Sequence, residues 1–358
     1  VKQYRIAVVP GDGIGVDTVE QAVESLRTIS QAHGGLQFTF DTCPWGCTYY
    51  LQHGEMMPAD GLRILGDYDS ILFGAAGFPT VPDHISLWGL LLPIRQGFQQ
   101  YINLRPVKLL RGTQGPLRTK GPEEIDFVCV RENTEGEYSG VGGRVHRHTD
   151  NEVAVQTSVF TRSGVERVLR YAFDLAAKRP AHDLVSATKS NALQYSMVFW
   201  DEVFADLQKE YPQVRCRQYH VDALAARFIT APETLDLVVG SNLFGDILTD
   251  LGGALQGSLG IPPSGNINPE GRYPSMFEPV HGSAPDIAGQ GIANPIAAIW
   301  AASMMLDHLG HEDAGRLMLE AIETVTGAGQ VLTPDLGGTA TTQQVGDAIR
   351  AQIHALSR

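Results

Sequence analysis

The chain has 358 residues, with 27 Lys and Arg against 40 Asp and Glu, a formal charge of −13 with His neutral. That length allows two domains, or one large one, around a sizeable core. The acidic balance excludes an extended nucleic-acid face and an anionic-membrane face, both of which need clustered Lys and Arg, so neither partner is expected.

In chain order, "YRIAVVPG" (4–11) reads as a buried strand, and 16–33 as a helix with apolar residues at helical spacing. Between them Gly11, Gly13 and Gly15 crowd a strand-to-helix turn. A dinucleotide fingerprint needs G-x-G-x-x-G, whose third glycine lets the helix pack closely. Here position 16 is Val, and the Asp41 that ends the second strand, "LQFTFDT" (36–42), is of a type common there by chance. The spacing favours a tight turn with positive φ over a pyrophosphate cradle. A further strand is expected at "SILFGAA" (70–76), and a helix over "DHISLWGLLLPIRQ" (83–96), in which Pro93 should produce a kink.

From 101 to 161 extended segments follow one another through Gly- and Pro-rich turns, which suggests a strand-rich insertion into an alternating α/β frame. Its expected limits are 101–251, with 1–100 and 252–358 forming a discontinuous first domain. Alternation resumes with "HDLVSATKSN" (182–191) and "LDLVVGSN" (235–242), apolar runs that end in polar residues and lead into helices. Strands buried on both faces look like this, with ligands at their carboxyl ends. The apolar helix at 296–306 is too short to span a bilayer.

Four cysteines, Cys43, Cys47, Cys129 and Cys216, include no second pair and no nearby His to complete a zinc site. Idle or buried thiols in a reducing cytoplasm are expected. The opening "VKQYRIAVV" runs straight into a strand without a cleavable apolar region, and this too points to a cytoplasmic protein.

Several residues carry chemical possibilities beside ordinary ones. Asp246 and Asp250 in "NLFGDILTDL" are four apart and share a helix face. Such a pair either solvates a helix near its start or supplies hard oxygen ligands to Mg2+ or Mn2+. Arg95, Arg105 and Arg131 are surface salt-bridge formers or bidentate carboxylate binders. Lys189, at the end of an apolar strand, suits base catalysis if desolvated or near other cations. Tyr138 is a packing residue or a proton donor. "FEPVHGSAPDIAGQGIANP" (277–295) is rich in small residues that permit close backbone approach to a nucleotide.

Taken together, "PGDGIG", "NLRP", "RENTEGEYSG", "TKSN", "NLFGDILTDL" and "EPVHGSAPDIAGQGIANP" resemble, in order, the metal-dependent β-decarboxylating dehydrogenases from end to end. The resemblance implies a two-domain α/β/α fold with a large mixed sheet, of the isopropylmalate dehydrogenase kind and not a Rossmann fold. It implies Lys189 as base, Tyr138 as acid, and Arg95, Arg105 and Arg131 on the substrate carboxylates. It also implies metal binding by Asp246 and Asp250 with Asp222 of a partner subunit, in a homodimer with shared active sites. The cofactor would meet Asn191, Glu278, His281, Gly282, Ser283, Ala284, Asp286, Ile287 and Asn294. Asp286 stands where a carboxylate favours NAD over a 2′-phosphorylated cofactor, and Mg2+ or Mn2+, with room for a monovalent cation, complete the set. "DHISLWG" resembles the D-malate/tartrate branch, with Trp88 and Leu91 leaving little space beside C3 of a 2-hydroxy dicarboxylate. The alternative within the family is 3-isopropylmalate dehydrogenase, and outside catalysis a silent regulatory subunit.

Overall fold

Residues 1–357 are described by a computed structural model, in which the chain divides into two compact units. The first holds 1–100, 105–125 and 253–358; the second holds 101–104 and 126–252. Twelve strands occur among the described residues. They are β1 (Lys2–Gly11), β2 (Leu36–Thr42), β3 (Ser70–Ala75), β4 (Ile102–Lys108), β5 (Asp126–Glu132) and β6 (Gly136–Val145). Then come β7 (Val153–Val159), β8 (Asp183–Thr188), β9 (Arg215–His220), β10 (Leu237–Gly240), β11 (Pro263–Ile267) and β12 (Ser275–Pro279).

In the first unit the strand order is β2-β1-β3-β12-β11. The β1, β2, β3 and β12 neighbours pair in parallel, while β12 and β11 are antiparallel, so the sheet is mixed. Both faces are covered, and β3 is buried at every position. Ala7, Val9, Ile71 and Phe73 pack with Trp45, Met56, Leu90, Ile94 and Phe98. Helices Ile14–His33, Ile296–His308, Glu312–Ala328 and Thr342–Leu356 pack on one another, the first two also against strands of this sheet. These are two helical covers on one sheet, the α/β/α layering the sequence implies.

Residues 105–125 belong to this first unit, whereas the sequence reading placed them in the insertion. Side-chain and backbone pairing explains the difference. Leu109 N donates to Ile125 O, and both Lys108 and Arg111 pair with Glu323, a residue of the C-terminal helices. A Cβ at Gly112 would stand 2.1 Å from the Thr326 carbonyl, so this loop lies directly on that helix. The chain passes between the units within β4.

The second unit is built on β5-β10-β8-β9, all parallel. Helix Arg162–Lys178, capped by Thr161 accepting from Gly164 N, packs on β5, β10 and β8. β6 and β7 form a separate antiparallel hairpin.

Pro93 is accommodated in a way that spacing did not show. Asp83–Ser86 continues as a π turn over Leu87–Leu91, in which Leu92 N donates to Leu87 O, before α-helix resumes at Leu92–Gly97. A proline removes one N–H and crowds the carbonyl four residues back, and a wide turn relieves both. No helix among the described residues is long and apolar enough to cross a membrane.

Candidate active site

Chemistry-bearing residues of the second unit gather where parallel strands end. Arg131 is the penultimate residue of β5, Lys189 follows β8, Asp222 opens the helix after β9, and Asp246 sits on the helix after β10. Strand order then decides which of them meet. β5 is next to β10, and the Arg131 guanidinium is salt-bridged to Asp246 Oδ1 at 2.5 Å. Tyr138 OH donates to the other oxygen of Asp246 at 2.9 Å, and the Arg131 guanidinium lies 5.3 Å from the Tyr138 ring centroid. β8 is next to β9, and Lys189 Nζ donates to Asp222 Oδ1 at 2.8 Å. That hydrogen bond holds the Asp222 carboxyl below its ordinary range. The neighbour that the structure gives Lys189 is thus an anion, not the cation or dry pocket considered from sequence.

Asp250 is exposed one helical turn from Asp246, and Asn191 is exposed beyond β8. Ile247, between the two aspartates, is 52% exposed while Leu248 is buried, so the face beside the carboxylates is apolar and open. Among the described residues, no three His, Cys, Asp or Glu side chains are grouped to hold a metal ion.

In the first unit Arg95 and Arg105 are both buried. Arg95 Nη2 donates to Glu278 Oε1 at 2.8 Å, and Asn266 Nδ2 donates to the same oxygen at 2.7 Å. Arg95, expected on substrate, and Glu278, expected on cofactor, are therefore one buried ion pair.

The 281–294 loop lines a cavity of about 650 Å³ with Ile14, Ser258, Leu259 and Asp335; its own contributors include His281, Gly282, Ala284, Ile287 and Asn294. His281 Nδ1 lies 2.9 Å from the Gly282 carbonyl, which requires a proton on Nδ1 and leaves Nε2 as an acceptor. That Nε2 is buried without a hydrogen-bond partner, and burial pushes the imidazole pKa down, so the ring is neutral. Asn294 Nδ2 donates to Asp335 Oδ2 at 2.9 Å. Asp286 is exposed, and Ser283 faces the adjoining cavity around Gly77–Asp83. Ala284 has φ +38, a conformation that a non-glycine residue holds only under constraint.

The first glycine turn supports this loop. Ile14 N donates to Ser283 O at 2.8 Å, and a Cβ on Gly13 (φ +58) would stand 2.0 Å from that oxygen. Asp41, the acidic residue at the end of β2, is paired with Arg5.

Sequence reasoning missed four residues here. Asp12 is buried, and its carboxylate accepts from the backbone N–H groups of Cys47, Thr48 and Gly77. Asp335 reaches the cavity from a distant C-terminal segment. Asn242 lies behind Arg131 and Glu132 behind Asn242, each joined to the next by hydrogen bonds. Only the flanking motifs "PGDGIG", "RENTEGEYSG" and "NLFGD" signalled three of them; nothing signalled Asp335.

The family described as isocitrate/isopropylmalate dehydrogenase matches residues 5–349. The chain belongs to that family. It is 54% identical over 357 residues to a probable tartrate dehydrogenase/decarboxylase of Bacillus subtilis (strain 168), covering 99% of each chain. It is 54% identical over 356 residues to the decarboxylating D-malate dehydrogenase of Escherichia coli (strain K12), covering 98% of each. Among solved structures, isocitrate dehydrogenase from Methylococcus capsulatus superposes with a TM-score of 0.86 at 33% identity, covering 98% of this chain and 99% of that one. The chain is thus an enzyme of the decarboxylating dehydrogenase kind with the isocitrate dehydrogenase-like α/β fold, and the Rossmann reading of its first glycine turn is set aside.

Proposed function

We propose that the protein catalyses NAD-dependent oxidative decarboxylation of D-malate to pyruvate and CO2, and oxidises tartrate as a related activity. The observation that carries this reading is the cluster at the end of β5. There a carboxylate binder (Arg131), a proton donor (Tyr138) and an anionic ligand (Asp246) touch one another in a strongly acidic chain. The names of the full-length relatives support the choice of acid.

Asp246 and Asp250 fit a divalent ion as two of its oxygen donors, and among the described residues no third is grouped with them. We assign the third to Asp222 of a second copy, with Lys189 and Asn191 reaching the same site. Apolar exposure supports a homodimer: Val141, Val145, Val153 and Val155 on the β6–β7 hairpin, Tyr195, and Ile247 beside the aspartates. The cavity of the 281–294 loop fits an adenosine, since the neutral His281 offers its orphaned Nε2 to an amino N–H. The exposed Asp286 carboxylate favours ribose hydroxyls over a 2′-phosphate. When bound, the metal supplies Lewis acidity to the 2-hydroxy acid and NAD accepts the hydride from C2.

The chain's own residues do the rest. Arg131 holds a substrate carboxylate and orients C2. Lys189 takes the proton of the C2 hydroxyl, directly or through water. After CO2 leaves, Tyr138 returns a proton to C3. Four free cysteines are consistent with the cytoplasm: burial pushes Cys47 up to about 12 and Cys216 to about 11, so neither is a thiolate at neutral pH.

The test is NADH formation on D-malate, the tartrate isomers and 3-isopropylmalate with Mn2+ or Mg2+, before and after chelation. Turnover of D-malate with CO2 release, lost on chelation, is expected. A clear preference for 3-isopropylmalate would move the protein to that specificity, and absence of turnover on every acid would leave the silent-subunit reading.

A further inference from the structure

The Arg131 side chain is clamped before any ligand arrives. It is 3% exposed and runs over Gly245, where a Cβ would stand 2.5 Å from Arg131 Cγ. Asn242 Oδ1 accepts from Arg131 Nε at 3.1 Å and from Nη2 at 2.7 Å. The Asn242 amide is itself oriented from behind. Its Nδ2 donates to Glu132 Oε2 at 3.4 Å and to the Glu135 carbonyl at 3.2 Å. Glu132 in turn accepts from Thr134 N and Oγ1 and from Glu135 N. Only one amide orientation satisfies this: oxygen toward the guanidinium, which has donors alone, and nitrogen toward two acceptors.

We propose that Asn242, oriented by Glu132, is a positioning residue that aims the Arg131 guanidinium at a substrate carboxylate. The Nε–Nη2 edge is taken by the amide oxygen, which turns the Nη1–Nη2 fork toward the side where Asp246 lies. Of the two edges through which a guanidinium chelates a carboxylate, this leaves the Nη1–Nη2 fork for a ligand, with Asp246 already meeting it at Nη1. A neutral amide holds the guanidinium without cancelling its charge, whereas a carboxylate in the same place would compete with the substrate. The carboxylate of Glu132 stands one link further back, against Asn242. This inference rests on reading Arg131 as a substrate-carboxylate binder, but the clamp itself has a readout that needs no substrate.

The experiment compares wild type, Asn242→Ala and Glu132→Gln in three measurements. In Asn242→Ala the KM for D-malate rises about tenfold or more while NAD affinity, titrated directly, stays within about twofold. Glu132→Gln moves KM the same way by a smaller factor, and it decides the matter if Asn242→Ala does not fold. The Nε–H resonance of Arg131, assigned by its loss in Arg131→Lys, is sharp in wild type and broadened or lost in Asn242→Ala. A merely structural role would lower the unfolding temperature with KM and the resonance unchanged, or weaken both ligands alike; either result overturns the proposal. Should wild type turn over no dicarboxylate, the functional reading fails, while a preserved resonance in Asn242→Ala would separately refute the clamp.

Discussion

In the proposed reaction the two proton transfers fall to Lys189 and Tyr138, and an apolar side chain in either place would have no proton to take or give. Lys189→Ala and Tyr138→Phe should each lower kcat by roughly 10²–10⁴-fold while NAD binding, followed by titration, is retained. Asp12 shows a different kind of dependence. Its buried carboxylate gathers three backbone N–H groups from two separate segments, one of them Gly77, whose own Cβ position lies 2.9 Å from Ser283 Oγ. Asp12→Ala leaves those donors without an acceptor and should cost about 2–4 kcal/mol in denaturant unfolding. Asp12 stood in the middle of a quoted motif, yet its partners are 35 and 65 positions away, so its role was invisible along the chain.

Elements carry effects that single residues do not. The helix Ile296–His308 was legible as a continuous apolar run, and it forms there. Its last turn carries Asp307, which the helix dipole disfavours. Burial first, then the charge of Glu312, pushes Asp307 up to about 7 against the opposing Arg316. Because the folded pKa lies above the unfolded one, this group's stability contribution is full below about pH 4 and is lost as pH rises through about 7. Asp307→Asn removes the dependence. Its melting temperature should exceed that of wild type at pH 8, by the equivalent of at most about 1 kcal/mol since the side chain keeps contact with water, and the gap should close toward pH 4. A gap that widens on acidification would contradict this. The π turn at Leu87–Leu91 belongs to the same scale: Pro93 announced a disturbance, but whether a helix kinks or widens depends on what packs beside it. Here Gly89 sits against Met56, 2.6 Å from a would-be Cβ, and leaves no space for the helix to swing inward.

At the scale of the whole molecule, the proposed composite site makes a prediction that no single-chain arrangement shares. Lys189→Ala and Asp246→Asn chains are each expected to be inactive. Mixed and allowed to exchange subunits, they should regain roughly a quarter of wild-type activity, because half of randomly assorted dimers are hybrids with one intact site. Recovery of nothing after verified exchange would mean that both residues serve the same chain's site. The valines of the β6–β7 hairpin give a second view: they were read in sequence only as part of a strand-rich stretch, and their exposure came from a hairpin that pairs with no other strand of its unit.

By itself the sequence determined the alternation of strand and helix, the glycine turn that is not a dinucleotide fingerprint, and the i, i+4 placement of Asp246 and Asp250. These follow from local rules, since periodicity, glycine φ and helical spacing act over a few residues. It also carried the family, because motifs in order survive without knowledge of their contacts. Only the tertiary structure decided that 105–125 returns to the first unit, that Arg95 is paired with Glu278, and that Asp335 reaches the cavity of the 281–294 loop. It alone disclosed the Glu132–Asn242–Arg131 chain, which joins positions 111 apart. Such contacts depend on which strands lie side by side, and strand order is set by packing the whole core at once, not by any stretch of residues read alone.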